Sequence, residues 1–397
     1  MNKLTVDDVQ LKGRRVLLRV DFNVPMKNGI VTDDTRIVES LPTVKKILED
    51  GGRVIMMSHL GRPKGKRNME FTLEPVAKRV SALLGKSVSF APDCVGEEVK
   101  KLVDSLKNGD CLLLENLRFH AEEESNDEQF SKSLAALGDV YVNDAFGSAH
   151  RAHASTEGVT RFLKPAVAGY LMKKELDYLT KAVSNPARPY VAILGGAKIS
   201  GKIDVIQNLM NKVDALIIGG GMMFTFFKAQ GMEIGKSLLE EDKIDLAQQI
   251  MRDAKARNVR LLLPVDCVVA DKFDNNAQRK TIPVHAIPAE WMGLDIGQES
   301  IRLFKEELLK AKTVVWNGPM GVFEMNNFAY GTDAIAKALA EITKTGTVTI
   351  VGGGDSAAAI AKSELENSVS HVSTGGGASL EFLEGKILPG VAALSDR

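Results

Sequence analysis

The chain has 397 residues, which is long for one hydrophobic core, so we expect two domains. Its 51 basic and 51 acidic residues balance, which argues against a protein-wide positive field for nucleic acid, and no apolar run is long enough to suggest a membrane span. The three cysteines, Cys94, Cys111 and Cys267, form no CxxC pair, which favours buried thiols in a reducing, cytoplasmic compartment over disulfides or a zinc site.

Short β-branched apolar runs alternate with segments of helical spacing along the whole chain. The runs span residues 15–20, 53–58, 111–116 and 139–144 in the first half, and 190–196, 214–221, 259–266, 312–318, 346–354 and 371–377 in the second. Continuous apolar strands joined by crossover helices indicate parallel sheets covered on both faces. The sequence therefore predicts a doubly wound α/β fold, with a domain boundary at residues 184–190, which hold two prolines.

Polar and cationic residues follow the predicted strands of the first half. In open parallel sheets, ligands bind beyond the carboxyl ends of the strands. Arginine forks at such a place bind carboxylate and phosphate groups through paired hydrogen bonds. The sequence therefore predicts an anion site here, and the alternative is a structural cluster of ion pairs. The candidate residues are Asp21, Asn23, Arg36, His59, Arg62, Arg118 and Arg151.

Glycine pairs and triplets follow the predicted strands of the second half, and each group precedes a predicted helix. A helix N-terminus presents free N–H groups and a partial positive charge, and glycine lets a phosphate approach that backbone closely. One such turn is weak evidence, but four in one domain favour a nucleoside polyphosphate. The four groups are Gly195–Gly196, Gly219–Gly221, Gly352–Gly354 and Gly375–Gly377.

The first of these turns comes close to a P-loop. Gly196, Gly201 and Lys202 fit the spacing GxxxxGK, but Ile203 stands where a hydroxyl should bind magnesium. A Walker-type site is therefore disfavoured. Lys198 and Lys202 would face one side together if both lay on the first turns of a helix.

The third turn supplies a different metal ligand. Asp355 is a hard oxygen ligand beside Ser356 at a glycine-lined helix start, as a magnesium–phosphate site requires. The same stretch matches GxGxxA, but the next strand ends in Ser373 and Thr374 without the acid that holds the ribose of NAD. A dehydrogenase is therefore disfavoured, and a sensor that binds phosphorylated metabolites without turnover stays an alternative.

Two further segments fit a nucleotide site. Residues 314–324 contain Asn317, a Gly-Pro turn and Glu324, which suits a phosphate contact followed by a carboxylate for the ribose. Residues 223–227, MFTFF, are expected to form core or the apolar wall of a base pocket.

Taken together, these motifs resemble the phosphoglycerate kinase family in its bacterial, monomeric form. RVDFNVP, SHLGRPKG, VNDAFGSAHRAHAS, ILGGAKI, IIGGGM, VWNGPMGVFE, VGGGDS and STGGGASLE stand in the family's order over nearly the whole chain. The resemblance implies reversible in-line phosphoryl transfer from 1,3-bisphosphoglycerate to MgADP, giving 3-phosphoglycerate and MgATP, with domain closure. It also implies two Rossmann-like lobes, each a three-layer αβα sandwich, facing across a cleft.

The resemblance assigns roles to individual residues. The seven first-half residues become the phosphoglycerate site, with Arg36 nearest the reacting carboxyl group. Lys198 becomes the group that stabilises the phosphoryl group in flight, together with Gly353 and Gly376 at two helix starts. Asp355 becomes the Mg²⁺ ligand. The implied nucleotide site comprises Gly195, Lys198, Lys202, Gly219, Gly293, Asn317, Pro319, Glu324, Gly352, Gly353, Gly354, Asp355, Ser356 and Thr374.

The resemblance also implies how the domains are divided. Residues 1–170 and 376–397 would form the phosphoglycerate lobe, residues 171–185 an interdomain helix, and residues 186–375 the nucleotide lobe. The implied partners are small molecules only, with no nucleic acid and no membrane. One departure is visible, since Gly201 stands where the family often has an acid before Lys202.

Overall fold

The computed structural model describes residues 2–397, and the chain folds as two compact units. The first unit runs to Asp177 and also contains Ile387–Arg397, whereas the second unit is Tyr178–Lys386. Each unit is built around its own parallel sheet.

The first unit contains one six-stranded sheet and a short hairpin. Its strands are β1 (Arg15–Arg19), β2 (Met26–Lys27), β3 (Ile30–Val31), β4 (Arg53–Met57), β5 (Val88–Phe90), β6 (Cys111–Leu113), β7 (Val140–Asn143) and β8 (Ala166–Ala168). Its helices are α1 (Thr35–Glu49), α2 (Glu74–Leu84), α3 (Glu97–Ser105), α4 (Ala121–Glu124), α5 (Glu128–Ala135), most of α6 (Tyr170–Ser184), and α14 (Pro389–Ala392).

Parallel pairing brings the strand ends of the first unit to one edge. The sheet order is β5-β6-β4-β1-β7-β8, and Arg19 at the end of β1 stands in register with Met57 of β4 and Asn143 of β7. Residues just after these strands therefore emerge side by side. The strands are apolar because both faces are covered, and Val16 of β1 shares one core with Ile37 of α1.

The second unit contains a six-stranded sheet and a separate three-stranded sheet. Its strands are β9 (Tyr190–Leu194), β10 (Ala215–Ile218), β11 (Arg260–Leu262), β12 (Asp266–Ala270), β13 (Arg279–Pro283), β14 (Met292–Ile296), β15 (Thr313–Asn317), β16 (Val348–Gly352) and β17 (His371–Val372). Its helices are α7 (Ile203–Met210), α8 (Met223–Ala229), α9 (Ile244–Ala256), α10 (Gln298–Leu308), α11 (Tyr330–Lys344), α12 (Gly354–Lys362) and α13 (Gly376–Leu383).

The predicted α/β class with two parallel sheets is confirmed. The large sheet of the second unit has the order β11-β10-β9-β15-β16-β17, and all its pairings are parallel. The antiparallel sheet β13-β12-β14 was not predicted. Its strand β13 is largely exposed and carries Arg279 and Lys280, so it lacks the apolar run on which the prediction relied.

The division into units differs in detail from the predicted segments. Helix α13 packs on α7 and β16, so residues 376–386 lie with the second unit rather than the first. Only Ile387–Arg397 returns to the first unit, where the backbone N–H of Leu4 donates to the carbonyl of Ser395 at 2.9 Å. The boundary near Asp177 falls inside α6 instead of at its ends.

Candidate functional sites

Four predicted residues of the anion site are joined by short polar contacts beyond the sheet edge of the first unit. The Nη1 of Arg36, in the first turn of α1, donates to Asp21 Oδ1 at 3.2 Å and to the carbonyl of Asn23 at 3.1 Å. Asn23 Oδ1 accepts the N–H of Gly61 at 2.9 Å. The carbonyl of Gly61 in turn accepts Nη1 of Arg118 at 3.0 Å. His59, a fifth predicted residue, instead contacts a buried arginine.

That arginine, Arg19, was missed by the sequence interpretation. It ends β1 with 1% of its surface exposed, and its Nε donates to Ser155 Oγ at 2.8 Å. Its Nη2 lies 3.1 Å from Nδ1 of His59. A guanidinium only donates, so Nδ1 accepts and the proton of a neutral His59 ring sits on Nε2. Burial, followed by the charge of Arg19, holds the pKa of His59 well below its usual value.

Acidic groups balance only part of this positive charge. Glu123 is fully buried and accepts the backbone N–H of Ser155 at 2.9 Å and its hydroxyl at 2.6 Å. Glu124 lies 3.3 Å from Nε of Arg118. Burial, followed by the charges of Arg118, Arg19 and Arg151, lowers the pKa of His153 to about 4. The cluster therefore keeps a positive potential that suits an anionic ligand.

The two remaining arginines are exposed. Arg151 donates through Nε to His150 Nε2 at 3.2 Å. Arg62 follows Gly61 and makes no hydrogen bond or ion pair with the residues that the structure describes, 2–397. A purely structural ion-pair cluster would leave neither guanidinium so open, and both are free to take part in binding a ligand.

In the second unit, the turns after β9, β10 and β15 are packed against one another. The N–H of Gly195 donates to the carbonyl of Asn317 at 3.0 Å, and that of Gly196 to the carbonyl of Pro319 at 2.9 Å. A Cβ on Gly195 would lie 2.1 Å from the Pro319 oxygen, and one on Gly219 would lie 2.5 Å from Met320 Sδ. At these two glycines, the close packing of the turns is enough to explain why no side chain is present.

The glycines after β16 differ, because they border open space. Gly353 caps α12 with φ +93°, and a Cβ on Gly354 would meet no atom within 4 Å. A Cβ on Gly376, the first residue of α13, would lie 2.9 Å from the nitrogen of Gly354. The N-termini of α12 and α13 therefore meet at one exposed point, just after Thr374. Their free N–H groups suit an anion there.

Asp355 and Ser356 take different positions in the first turn of α12. Asp355 is exposed. Ser356 is buried, and its hydroxyl accepts the N–H of Gly318 at 2.6 Å. Ser356 therefore ties this turn to the loop after β15, whereas Asp355 projects into solvent where a cation can reach it.

The two lysines of the first turn are not on one helix face. Lys198 is exposed in a loop, and Lys202 lies in the 3-10 turn Ser200–Lys202 before α7. The condition under which the two lysines would share one helix face is therefore not met, because Lys198 lies outside any helix. Nζ of Lys202 donates to the carbonyl of Asn317 at 3.2 Å and also to its side-chain Oδ1. Burial lowers the pKa of Lys202 to about 8, although Asp355 and Glu384 oppose this shift.

The side chain of Asn317 has an unsatisfied donor. With Oδ1 turned to Lys202, its buried Nδ2 has no hydrogen-bond partner among the described residues. This atom lies 3.1 Å from the position that a Cβ on Gly353 would take. A buried donor without an acceptor costs free energy, so this N–H group is placed for a ligand at the Gly353 turn.

A cavity of about 460 Å³ opens beside this turn. Gly293 of β14 borders it, where a Cβ would lie 2.1 Å from the ring of Phe224. Glu324 stands exposed at the cavity, and Met223 and Phe224 confirm the expectation that MFTFF forms an apolar wall. The antiparallel sheet also lines the cavity, through Met292 and Leu294 of β14, and the sequence interpretation missed this contribution. Of the residues that the resemblance assigns to the nucleotide site, Gly293, Pro319, Glu324 and Asp355 line the cavity.

Comparisons with known proteins agree with both units. The family model described as phosphoglycerate kinase matches residues 6–386. Phosphoglycerate kinases from Chloroherpeton thalassium and Chlorobaculum tepidum are 64% and 60% identical, and each alignment covers 100% of both chains. The solved phosphoglycerate kinase structure from Coxiella burnetii has a TM-score of 0.90 at 44% identity, covering 98% of each chain. The one from Pyrococcus horikoshii has a TM-score of 0.85 at 32% identity, again with 98% of each covered.

No helix in residues 2–397 combines the length and the apolar character that crossing a membrane requires. The resemblance seen in the sequence is confirmed over the full length of the chain. The chain therefore belongs to the phosphoglycerate kinase family, and it is an enzyme of that class.

Proposed function

We propose that the enzyme transfers a phosphoryl group reversibly from 1,3-bisphosphoglycerate to MgADP, giving 3-phosphoglycerate and MgATP. The first unit binds the phosphoglycerate, and the second unit binds the nucleotide. The observation that carries this division is the meeting of two helix N-termini beside the 460 Å³ cavity, with the unsatisfied Nδ2 of Asn317 next to them. That arrangement fits a base and a chain of phosphates bound end to end.

The phosphoglycerate is held by side-chain charge. Arg62, Arg118 and Arg151 bind its carboxylate and phosphate oxygens, since guanidinium groups pair with both through two parallel hydrogen bonds. His59 offers Nε2–H as a neutral donor, because its Nδ1 faces Arg19. Asp21 keeps Arg36 in place, and Asn23 with Asp21 is available to accept the hydroxyl of the substrate.

The nucleotide is held mainly by backbone groups. The base enters the apolar cavity against Gly293 and Pro319, and Glu324 accepts the ribose hydroxyls. The phosphates lie along the Gly352–Gly354 turn, where Nδ2 of Asn317 and Nζ of Lys202 donate to them. The glycines at 195 and 219 act indirectly, by letting the neighbouring turns pack closely.

Asp355 fits the role of the magnesium ligand. Its carboxylate is exposed at the cavity, makes no hydrogen bond with residues 2–397, and is close enough to Lys202 to affect the pKa of that lysine. Mg²⁺ is typically bound by one or two carboxylates together with phosphate oxygens and waters. The ion would neutralise phosphate charge during transfer, which is the chemistry it supplies to such reactions.

Transfer requires positioning and positive charge rather than a protein nucleophile. Arg36 approaches the reacting carboxyl group, and Lys198 follows the phosphoryl group in transit because it has no fixed partner of its own. Gly353 and Gly376 start the two helices whose N–H groups face the equatorial oxygens. Since each unit binds one reactant, the reaction needs domain closure, which also excludes water. Orientation of two reactants contributes on the order of 7–11 kcal/mol to catalysis.

A coupled assay with 3-phosphoglycerate and MgATP tests the proposed reaction. We expect turnover that depends on both substrates and on Mg²⁺. Binding of both ligands without turnover would favour the metabolite sensor, and enhanced NADH fluorescence on mixing would favour the dehydrogenase. Either result would overturn the proposal.

A further inference from the structure

We propose that Asp93, Cys94 and His120 form a second metal site, on the first unit, that takes a zinc-like divalent ion. The potential ligand atoms of the three side chains all lie within 4.8 Å of one another. Asp93 and Cys94 follow β5, and His120 follows the 3-10 turn Leu117–Phe119 after β6. Strands β5 and β6 are neighbours in the sheet, so the fold brings together residues that are 26 or more positions apart in the chain.

The three side chains are a zinc-type donor set. Zinc takes cysteine sulfur, histidine nitrogen and carboxylate oxygen, and three protein ligands plus a water make an open site. Tetrahedral zinc with bonds of about 2.0–2.3 Å places its ligand atoms roughly 3.3–3.8 Å apart. His120 Nε2 and Asp93 Oδ1 stand 2.7 Å apart, so this contact must open slightly to admit the ion, and the Cys94 sulfur lies within 4.8 Å of the other two ligand atoms.

The required movements are small and involve accessible side chains. The side chains of His120 and Asp93 are 28% and 38% exposed, so an ion can enter from solvent. Cys94 is fully buried and forms the floor of the site. Oδ1 of Asp93 accepts the N–H of Cys94 at 2.7 Å and faces His120. The second oxygen of this carboxylate takes part in neither contact and is available to an ion.

Charges around the site favour a cation. Asp93 brings one negative charge to the donor set, and Glu122 and Glu123 stand in the first turn of α4, directly after His120. One basic side chain, Arg67, lies nearby, over the ring of Phe119. Its Nη1 donates to the carbonyl of Pro92 at 2.8 Å, so its side chain is held by a partner outside the donor set.

The site is separate from Asp355 and close to the anion cluster. His120 immediately precedes α4, in which Glu123 holds Ser155 and Glu124 pairs with Arg118. A metal bound at His120 would therefore fix the start of the segment that positions Arg118. The wide spacing of the cysteines pointed away from zinc, because a single cysteine gives no motif until the fold places histidine and aspartate beside it.

Cobalt titration tests the site directly. We expect untagged, chelator-treated enzyme to bind one equivalent of Co²⁺ from CoCl₂ with a thiolate-to-cobalt charge-transfer band, and ZnCl₂ to displace the cobalt and remove the band. Cys94→Ala should abolish the band and weaken Co²⁺ binding at least tenfold. His120→Gln, at a partly exposed position, should weaken binding to a similar extent while the enzyme stays folded and active.

Matched controls separate this site from other metal binding. Cys111→Ala changes another buried cysteine, and His285→Gln an exposed histidine of the second unit; both should keep the band and the affinity of the unaltered enzyme. Absence of the band in the unaltered enzyme would overturn the proposal. Its persistence in Cys94→Ala, or unchanged affinity in a folded His120→Gln enzyme, would do the same, leaving an ordinary Asp–His pair beside a buried thiol.

Discussion

The two units approach anion binding in opposite ways. The first unit gathers side-chain charges, and it needs buried partners such as Glu123 and Ser155 to hold Arg19 among them. The second unit uses backbone N–H groups, and what it needs is empty space at Gly354. A side-chain site can be weakened one charge at a time, whereas a backbone site is changed most directly by filling its space. The predictions below use this difference, from the largest expected effect to the smallest.

Lys198→Ala should give the largest effect of these variants, as a loss of kcat. The exposed, unpartnered lysine is proposed to act on the phosphoryl group in transit, and removal of one such donor typically lowers kcat by roughly 10²–10³-fold. Nucleotide KM should change little. Steady-state kinetics beside Lys255→Ala, another exposed lysine of the second unit, provide the check. An unaltered kcat would remove Lys198 from the mechanism.

Asp355→Asn should change the affinity for metal-bound nucleotide and leave the affinity for metal-free nucleotide largely intact. We expect affinity for MgADP to fall by roughly tenfold or more, because a charge-assisted contact is worth about 1.5–3 kcal/mol. Metal-free ADP should bind as before or slightly better, since a negative charge near the phosphates is removed. Titration calorimetry measures both, with the exposed Asp274→Asn as control. Equal losses for the two forms of ADP would exclude Asp355 as the metal ligand.

Gly354→Ala should weaken nucleotide binding without affecting the fold. The added methyl group meets no atom within 4 Å, so the melting temperature should stay close to that of the unaltered enzyme. It occupies the proposed phosphate position, so we expect nucleotide KM to rise roughly tenfold, equivalent to about 1.4 kcal/mol. Gly201→Ala is the matched control, because a Cβ there also meets nothing within 4 Å. If both variants bind nucleotide equally well, the phosphates lie elsewhere.

Arg62→Ala should raise the KM for 3-phosphoglycerate by roughly fivefold to tenfold, as expected for one solvent-exposed charged contact worth about 1 kcal/mol. Stability should not change, because Arg62 has no partner among residues 2–397. Arg118→Ala should raise KM and also lower the melting temperature, since Arg118 contacts Gly61 and Glu124. Arg14→Ala, another exposed arginine of the first unit, should do neither.

Acid should weaken the first unit through its neutral histidines. The pKa of His153 falls to about 4 in the folded state from 6.5, so the folded protein binds fewer protons than the unfolded chain between these values. The stability is present above pH 6.5 and is lost as pH falls toward 4. His153→Gln should flatten this part of the unfolding free energy profile by roughly 1–2 kcal/mol, measured by urea titration. If the unfolding free energy of His153→Gln changed with pH in parallel with that of the unaltered enzyme, His153 would not be the group responsible.

The sequence predicted the strand ends well because the cause is local. Apolar runs mark parallel strands, and parallel strands place Asp21, His59 and Arg118 at one edge whatever the details of packing. Arg19 could not be predicted, because its burial depends on Ser155 and His59, which lie 136 and 40 residues away.

The glycine turns were only partly distinguishable in sequence. Gly219 and Gly354 both follow strands and precede helices, yet one packs against Met320 and the other faces open space. The sequence left open whether Lys198 lies on a helix; the chain turns at Gly196, with φ +99°, and α7 begins only at Ile203. At Gly219, the deciding contact comes from Met320, in the distant loop after β15. The assignment of site residues and of domains to ligands stays a prediction.

The most direct test is calorimetric titration of Arg62→Ala and Gly354→Ala with both 3-phosphoglycerate and MgADP. We predict a crossed result, in which the arginine variant loses affinity only for the acid and the glycine variant only for the nucleotide. Loss of the same ligand by both variants, or no loss by either, would contradict the division of binding between the two units.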